Sequence, residues 1–263
     1  MVLDLSDYRA VCEKAVRAAG RLLLEKQGRV QVREKGPSDL VTEADLASQE
    51  MVRQIVLGAF PEHCLLGEED SKPAAPRTEY RWIVDPLDGT TNYVHGIPFY
   101  SVSLALERSG ELLVGAVYHP AADECFIAVL GQGAFLNGQR MHTSQVAELS
   151  HAVAATGFPP DVTKRSPDLL IFNEATPLCQ SMRRTGSAAM NLAYVAAGRM
   201  DVFWSFSTKV WDVAAGVLLV REAGGVVTSP MGGKFALDSG QFLAAATPAL
   251  HGQFKELIHR AVG

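Results

Sequence analysis

The chain has 263 residues, with 24 Lys plus Arg against 29 Asp plus Glu, a formal net charge of -5. This length predicts one large domain or two closely packed ones, and 48% hydrophobic with 20% charged residues excludes a disordered chain. The mild acidity argues against a broad basic face for nucleic acid and against strong attraction to anionic membranes.

Residues 4–27 read as an amphipathic helix. Val11, Cys12, Ala15, Val16, Ala19, Leu22 and Leu23 recur at the helical period, and Gly28 stands at a natural stop. A polar loop with Gly36 and Pro37 is expected next, then a second helix from near Thr42 to about Ala59, before Pro61. Arg81 to Val84 reads as a short buried strand ending at Asp85-Pro86. A β-meander follows: Val102, Leu104 and Leu106 alternate with polar or small residues, Ser109-Gly110 turns, and Leu112–Tyr118 and Glu124–Leu130 continue. Gly131, Gly133 and Gly138 punctuate its end.

Beyond about residue 145 helices and strands alternate. His151–Thr156 reads as a strand, and a loop at Gly157-Phe158-Pro159-Pro160 follows. Ser187–Ala197 is a helix closed by Gly198, Val202–Trp204 a strand, and Val213–Ala223 a helix closed by Gly224-Gly225. Val226-Val227 and Phe242–Ala246 are short strands, and Pro248–Ala261 is a last helix. The expected organisation is an α+β half, residues 1–145, joined without a linker to an α/β half, residues 146–263.

Cys12, Cys64, Cys125 and Cys179 have no metal or redox spacing and read as buried thiols in a reducing compartment. The start, MVLDLSDYRA, is acidic where a secretory signal would be basic. No apolar run approaches the roughly 18 to 20 residues that span a bilayer. A cytoplasmic protein with no membrane partner is the expectation.

The segment Trp82 to Asn92, W-I-V-D-P-L-D-G-T-T-N, carries the strongest chemistry. A buried strand delivers Asp85 and Asp88 at its carboxyl end, where α/β proteins place ligands. Pro86 stiffens the backbone, so the Leu87 carbonyl could point the same way, and Gly89 and Thr90 offer amides to a phosphate if a helix starts there. D-P and D-G alone would be ordinary turn dipeptides. Glu68-Glu69-Asp70 alone reads as a solvated patch, although it follows an apolar segment and one carboxylate could face a cleft. Thr42-x-x-Asp45 matches a capping box, in which Asp45 could still present one oxygen elsewhere. Asp212 stands at the start of an apolar helix, where the dipole favours an acid. Gly186-Ser187-Ala188-Ala189 opens another helix with small side chains and available amides.

In this order the motifs D-L-V-T-E-A-D (39–45), G-E-E (67–69), W-I-V-D-P-L-D-G-T-T-N (82–92), G-S-A-A-M-N-L (186–192) and W-D-V-A-A-G (211–216) resemble the inositol monophosphatase family of metal-dependent, lithium-sensitive sugar phosphatases. The resemblance runs from about residue 8 to residue 260. It implies a layered αβαβα sandwich with the metal site between the two halves. It also implies two or three Mg²⁺ ions on Glu68, Asp85, the Leu87 carbonyl, Asp88 and Asp212. These are all hard oxygen donors, which favours Mg²⁺ or Mn²⁺ over Zn²⁺. By the same resemblance Thr90, Asp45 and Glu68 orient and deprotonate the attacking water, and the Gly89 and Thr90 amides hold the phosphate. Asp88, Gly186, Ser187 and Ala188 meet substrate hydroxyls. Lys35 matches a family lysine on a loop near the metals. A homodimer and lithium inhibition are implied too.

The expected substrate is inositol monophosphate or a related small polyol or sugar phosphate. Many inositol-preferring members have a Glu seven residues before the last metal Asp, and Ser205 stands there in this chain. A hydroxyl still bonds a polyol but lacks the charge-assisted component of about 1.5 to 3 kcal/mol. With the nearby Lys209, this keeps fructose 1,6-bisphosphate, histidinol phosphate and a 3′-phosphonucleotide open as substrates. A regulatory binding role in transcription is the competing class, disfavoured because every ligand is present and the acidic composition gives no reason to expect RNA binding. A P-loop enzyme is excluded, since Gly232-Gly233-Lys234 runs into Phe235. His95, His119, His142 and His151 read as structural or exposed, Arg183 and Arg184 as surface residues, Asp201 as a turn anchor, and Trp204 and Trp211 as core or cleft wall.

Overall fold

An apolar stripe at helical spacing forms α1 (Ser6–Lys26), which buries Cys12, Ala15, Val16, Ala19 and Leu23 on one face. The chain leaves it through Gly28, whose φ of +74° suits the left-handed position after a helix. The structure is a computed structural model that describes residues 5–29, 32–36, 39–70, 78–159 and 161–263, with 32–36 and 39 as backbone only.

Where a polar loop was expected, β1 (Val32–Gly36) and β2 (Asp39–Thr42) pair antiparallel. The charged run Val-Arg-Glu-Lys-Gly has no apolar alternation, so the hairpin is invisible to periodicity. Lys35 lies on β1, and its side chain falls outside the described residues. Next, α2 (Glu43–Ala59) starts at the expected Thr42 cap.

A sheet of seven strands follows: β3 (Cys64–Gly67), β4 (Tyr80–Asp88), β5 (Ser101–Arg108), β6 (Glu111–His119), β7 (Glu124–Val129), β8 (Gly133–Leu136) and β9 (Gln139–Met141), neighbouring one another in that order. Only β3 and β4 pair in parallel. The short α3 (Thr90–Val94) sits between β4 and β5. Two expectations change here. The strand predicted over Arg81–Val84, ending at Asp85-Pro86, starts at Tyr80 and runs on through Pro86 to Asp88, with its register shifting between Asp85 and Asp88. An irregularity of this kind is where a sheet tolerates proline. The meander also continues past its glycines as β8 and β9, strands too short to show a period.

The second sheet holds β10 (Val153–Thr156), β11 (Ser181–Arg183), β12 (Val202–Ser205), β13 (Val226–Thr228) and β14 (Phe242–Ala245), in the order β11-β10-β12-β14-β13. Its helices are α4 (Pro167–Ala175), α5 (Ala188–Ala196), α6 (Val210–Glu222) and α7 (Pro248–Val262). No local pattern marks β11 or α4, and α6 begins three residues before the expected Val213, which brings Asp212 inside its first turn.

Five layers result. α1 and α2 cover one face of the large sheet, and α5 and α6 lie between the two sheets. α4 and α7 close the far side of the small sheet. The middle layer is thin because its contacts are small. A Cβ on Gly115 of β6 would lie 2.9 Å from the Ala215 Cα of α6, and one on Gly216 would lie 2.4 Å from the Leu192 Cβ of α5. The Ala-Ala-Gly run after Asp212 therefore seats α6 tightly on β6 and α5, and it draws Ile83, Phe126, Phe203 and Phe242 into one core. Among the described residues no helix is long and apolar enough to cross a membrane.

Candidate active site

The acidic end of β4 is buried: Asp85 and Asp88 expose 2% and 8% of their surface. The Leu87 amide donates to Asp85 Oδ1 at 3.0 Å, folding the strand end back on its own carboxylate. Gly89 then turns the chain at a φ of +95°, where a Cβ would also crowd the Phe99 carbonyl at 3.1 Å. This turn starts α3 at Thr90. The Thr90 hydroxyl lies 3.0 Å from the Leu87 carbonyl oxygen and 3.2 Å from Asp45 Oδ1, either of which can accept its one proton.

Asp45 divides its two oxygens as the sequence suggested. Oδ2 accepts from the Thr42 amide at 2.8 Å and the Thr42 hydroxyl at 2.6 Å, completing the capping box, while Oδ1 is left for Thr90. Burial raises the Asp45 pKa, against the pull of the Thr42 and Thr90 hydrogen bonds.

Asp88 is held by the start of α5. Its Oδ2 accepts from Ser187 Oγ at 2.5 Å and the Ala189 amide at 2.7 Å, and its Oδ1 from the Ala188 amide at 3.2 Å. Ser187 and Ala188, expected at substrate hydroxyls, thus bind a carboxylate delivered by the other sheet. Burial pushes Asp88 up to about 6, with the Ser187 and α5 amide bonds holding it down. Gly186 is exposed, in a left-handed conformation beside Asn92. Asn92 donates to the Phe99 carbonyl at 2.7 Å and the Thr185 carbonyl at 2.8 Å, so it ties α3 to the loop before α5. The motif contained Asn92, but nothing local revealed this bridge.

Asp212 occupies the first turn of α6, where its Oδ2 accepts from the Lys209 amide at 2.7 Å. Burial and then the Asp88 charge push it up to about 8, with Glu68 adding to the same effect. Asp85 is pushed well above the usual carboxylate range by burial and by the charges of Glu68, Asp88 and Asp212. Glu68 stands in the turn after β3, its amide 3.3 Å from the Val84 carbonyl. The four acids therefore share one neighbourhood, at the end of the large sheet and the start of α6, where burial and the charges of Glu68 and Asp88 disfavour ionisation of Asp85 and Asp212.

The donor set, carboxylates and a carbonyl without thiolate or imidazole, suits Mg²⁺ or Mn²⁺. Among the described residues, no three His, Cys, Asp or Glu side chains stand in an arrangement ready to hold a metal ion. Both Asp88 oxygens are turned to α5 and the Leu87 carbonyl to Thr90, so a cation would have to compete with hydrogen bonds already made.

Ser205, at the end of β12, is 1% exposed, and its hydroxyl accepts from the Ser207 amide at 3.1 Å. The buried Asp168 of α4 reaches the same loop. Its two oxygens lie 3.1 and 3.3 Å from the Phe206 amide, and Oδ2 lies 3.4 Å from Ser207 Oγ. Lys209 is exposed at the start of α6. Neither Asp168 nor its role was visible in the sequence. His95, His142, His151, Arg183 and Arg184 are exposed, whereas His119 is buried with Nε2 3.0 Å from the Pro98 carbonyl oxygen. Asp201 does anchor a turn, accepting from Ser144 Oγ at 2.5 Å and the Val153 amide at 2.7 Å. Trp204 is buried in the core under α4 and α7, and the partly buried Trp211 packs against the central core that holds Phe203 and Phe242. All four cysteines are free, three of them buried.

Five alternating layers, with an acidic site where the large sheet meets the start of α6, define a class, the phosphoric monoester hydrolases of sugar-phosphatase type. Residues 4–262 match the inositol monophosphatase family, and the chain belongs to it. It is 42% identical over 256 residues to an inositol-1-monophosphatase of Mesorhizobium japonicum, covering 96% of this chain and 93% of that one. It is 40% identical over 237 residues to Nus factor SuhB of Pasteurella multocida, covering 89% of each. The solved structure of extragenic suppressor protein suhB from Bartonella henselae matches with a TM-score of 0.91 at 38% identity, covering 96% of this chain and 98% of that one.

Proposed function

We propose that the chain hydrolyses a small polyol or sugar phosphate, inositol monophosphate or a related monoester, with Mg²⁺ at Glu68, Asp85, Asp88, Asp212 and the Leu87 carbonyl. The observation that carries this reading is the gathering of four carboxylates, with Asp85 and Asp212 pushed up by burial and neighbouring charge, beside the Thr90–Asp45 hydrogen bond. Two or three bound ions, Mg²⁺ or Mn²⁺, would supply Lewis acidity, lowering the pKa of water and offsetting phosphate charge.

The protein's own part is orientation and proton transfer. Thr90 commits its single proton to Asp45 or Leu87, so its oxygen remains free to accept from a water and aim it. Asp45, made more basic by burial, and Glu68 are the groups that take that water's proton. The amides of Gly89 and Thr90, directly after Asp88, are assigned to the phosphate. Asp88, Gly186, Ser187, Ala188 and Ser205 are assigned to the leaving alcohol's hydroxyls. Because position 205 carries no carboxylate, fructose 1,6-bisphosphate, histidinol phosphate and 3′-phosphonucleotides belong in the same substrate panel. Lithium inhibition and homodimerisation, both implied by the family, complete the reading.

Phosphate release from that panel, with and without Mg²⁺ and Li⁺, is the test. Asp88→Asn and Glu68→Gln should lose Mg²⁺-dependent release while staying folded; near-full activity in both would overturn the assignment. Ser205→Glu should move the substrate ranking toward inositol monophosphate. An unchanged ranking removes Ser205 as a selectivity residue. The second reading, a regulatory role in transcription, is favoured by the name Nus factor carried by the Pasteurella relative. It gains if no monoester is hydrolysed by the folded, Mg²⁺-supplied protein.

A further inference from the structure

The turn that carries Glu68 is held at three successive amides by three different partners. Gly67 N donates to Asp70 Oδ2 at 2.8 Å, Glu68 N to the Val84 carbonyl at 3.3 Å, and Glu69 N to Gln49 Oε1 at 3.0 Å. Gln49 lies on α2 and is 6% exposed. Its Nε2 donates to Asp70 Oδ1 at 3.0 Å, and Arg53, one turn further along α2, places Nη2 2.6 Å from that same oxygen. A single buried amide thus accepts from Glu69 and donates to Asp70, whose other oxygen takes the Gly67 amide on the far side of Glu68. The space is made for it: a Cβ on Gly67 would lie 2.2 Å from Gln49 Oε1.

We infer that Gln49, Asp70 and Arg53 form a positioning clamp for Glu68 that sets how tightly the acidic centre holds a divalent cation. The inference rests on the metal-centre reading of the site. Glu68 and Asp85 are close enough to repel, and a carboxylate on a loose turn would swing away to relieve that repulsion. The clamp denies this escape, so the acids stay gathered for a cation to neutralise. Side chains around a ligand that fix its direction in this way contribute to affinity without touching the ion. The chemistry also requires an amide at 49. A carboxylate there could accept from Glu69 but would face Asp70 as a like charge, with no proton to give.

Gln49→Glu introduces that conflict, and Gln49→Glu with Asp70→Asn restores a donor opposite an acceptor. Thermal unfolding against rising Mg²⁺ reads cation binding directly, and Mg²⁺-dependent phosphate release reads the site. Gln49→Glu should need about tenfold or more Mg²⁺ for half-maximal stabilisation, with KM for the monoester unchanged at saturating Mg²⁺, and the double variant should return toward wild type. A merely structural contact would lower the melting temperature equally with and without Mg²⁺ and leave the Mg²⁺ midpoint in place, which overturns the clamp. Should Gln49→Glu not fold, Asp70→Asn is read by the same midpoint, since its single oxygen cannot accept from both Gly67 and the Gln49–Arg53 pair, and an unmoved midpoint overturns the clamp as well. A wild type that Mg²⁺ neither stabilises nor activates overturns the metal-centre reading and this inference with it. A responsive wild type beside an unmoved Gln49→Glu overturns the clamp alone.

Discussion

Thr90 and Asp45 are 45 positions apart in the chain and meet through a 3.2 Å hydrogen bond at the start of α3. The contact exists because Asp45 spends only one of its oxygens on the α2 cap. Thr90→Val, close to Thr in shape, should keep the fold and cost about 10² to 10⁴ in kcat if Thr90 aims the water. Thr90→Ser should retain most of the rate. Asp45→Asn should lose comparable activity and also weaken the cap, a loss of about 0.5 to 2 kcal/mol in unfolding free energy. Steady-state kinetics and calorimetry on the three variants check both statements.

Ser187 caps α5 and also donates to Asp88, so its loss has two separable effects. Ser187→Ala should destabilise the chain by about 1 kcal/mol through the missing cap. Because that hydroxyl bond holds the Asp88 pKa down, its removal should raise the pKa further. The variant should therefore need more Mg²⁺ near neutrality, and the difference should shrink at higher pH. Mg²⁺ titrations at several pH values measure it.

Asp88 and Asp212 are pushed up to about 6 and about 8 in the folded chain. Between about pH 4 and 8 the folded state therefore keeps protons that the unfolded chain releases, and stability in chelator should fall as pH rises. On the proposed metal-centre reading, a cation takes the place of those protons. The rise in melting temperature produced by Mg²⁺ should accordingly be larger at about pH 8 than at about pH 5.5. A stabilisation independent of pH would mean that these carboxylates are not the ones neutralised.

Burial likewise pushes Asp168 up to about 6 while it holds the Phe206 amide. Its contribution to stability therefore declines as pH rises through the window from about 4 to about 6. Asp168→Asn keeps an oxygen for Phe206 without the charge, so its melting temperature relative to wild type should climb across that window and level off above it. Asp168→Ala strands the amide instead, at a cost of about 1 to 3 kcal/mol, and should raise KM by loosening the Ser205–Lys209 loop.

The elements legible in the sequence were those whose signal is local. The α1 stripe, the Thr42 cap, the Ser109-Gly110 turn and the apolar core of β4 each follow from a few neighbouring residues. The hairpin of β1 and β2, the three- and four-residue strands β8, β9 and β11, and the helix α4 were not legible. Segments of that length do not form alone, and their hydrogen bonds depend on a partner strand or sheet supplied from elsewhere.

The same division runs through the site. The order of motifs determined, without any coordinates, the family, and it singled out the acids proposed here to hold a metal. Only the tertiary structure decided what each acid meets. Asp88 lies against α5 from 99 to 101 positions away, and Gln49 reaches the Glu68 turn across 20. It also decided their proton affinities, because a pKa near 8 at Asp212 comes from burial and from charges on other elements. Residue identity is carried by the local chain, whereas burial, packing and the repulsion of distant charges arise once two sheets and the helices between them close on one another.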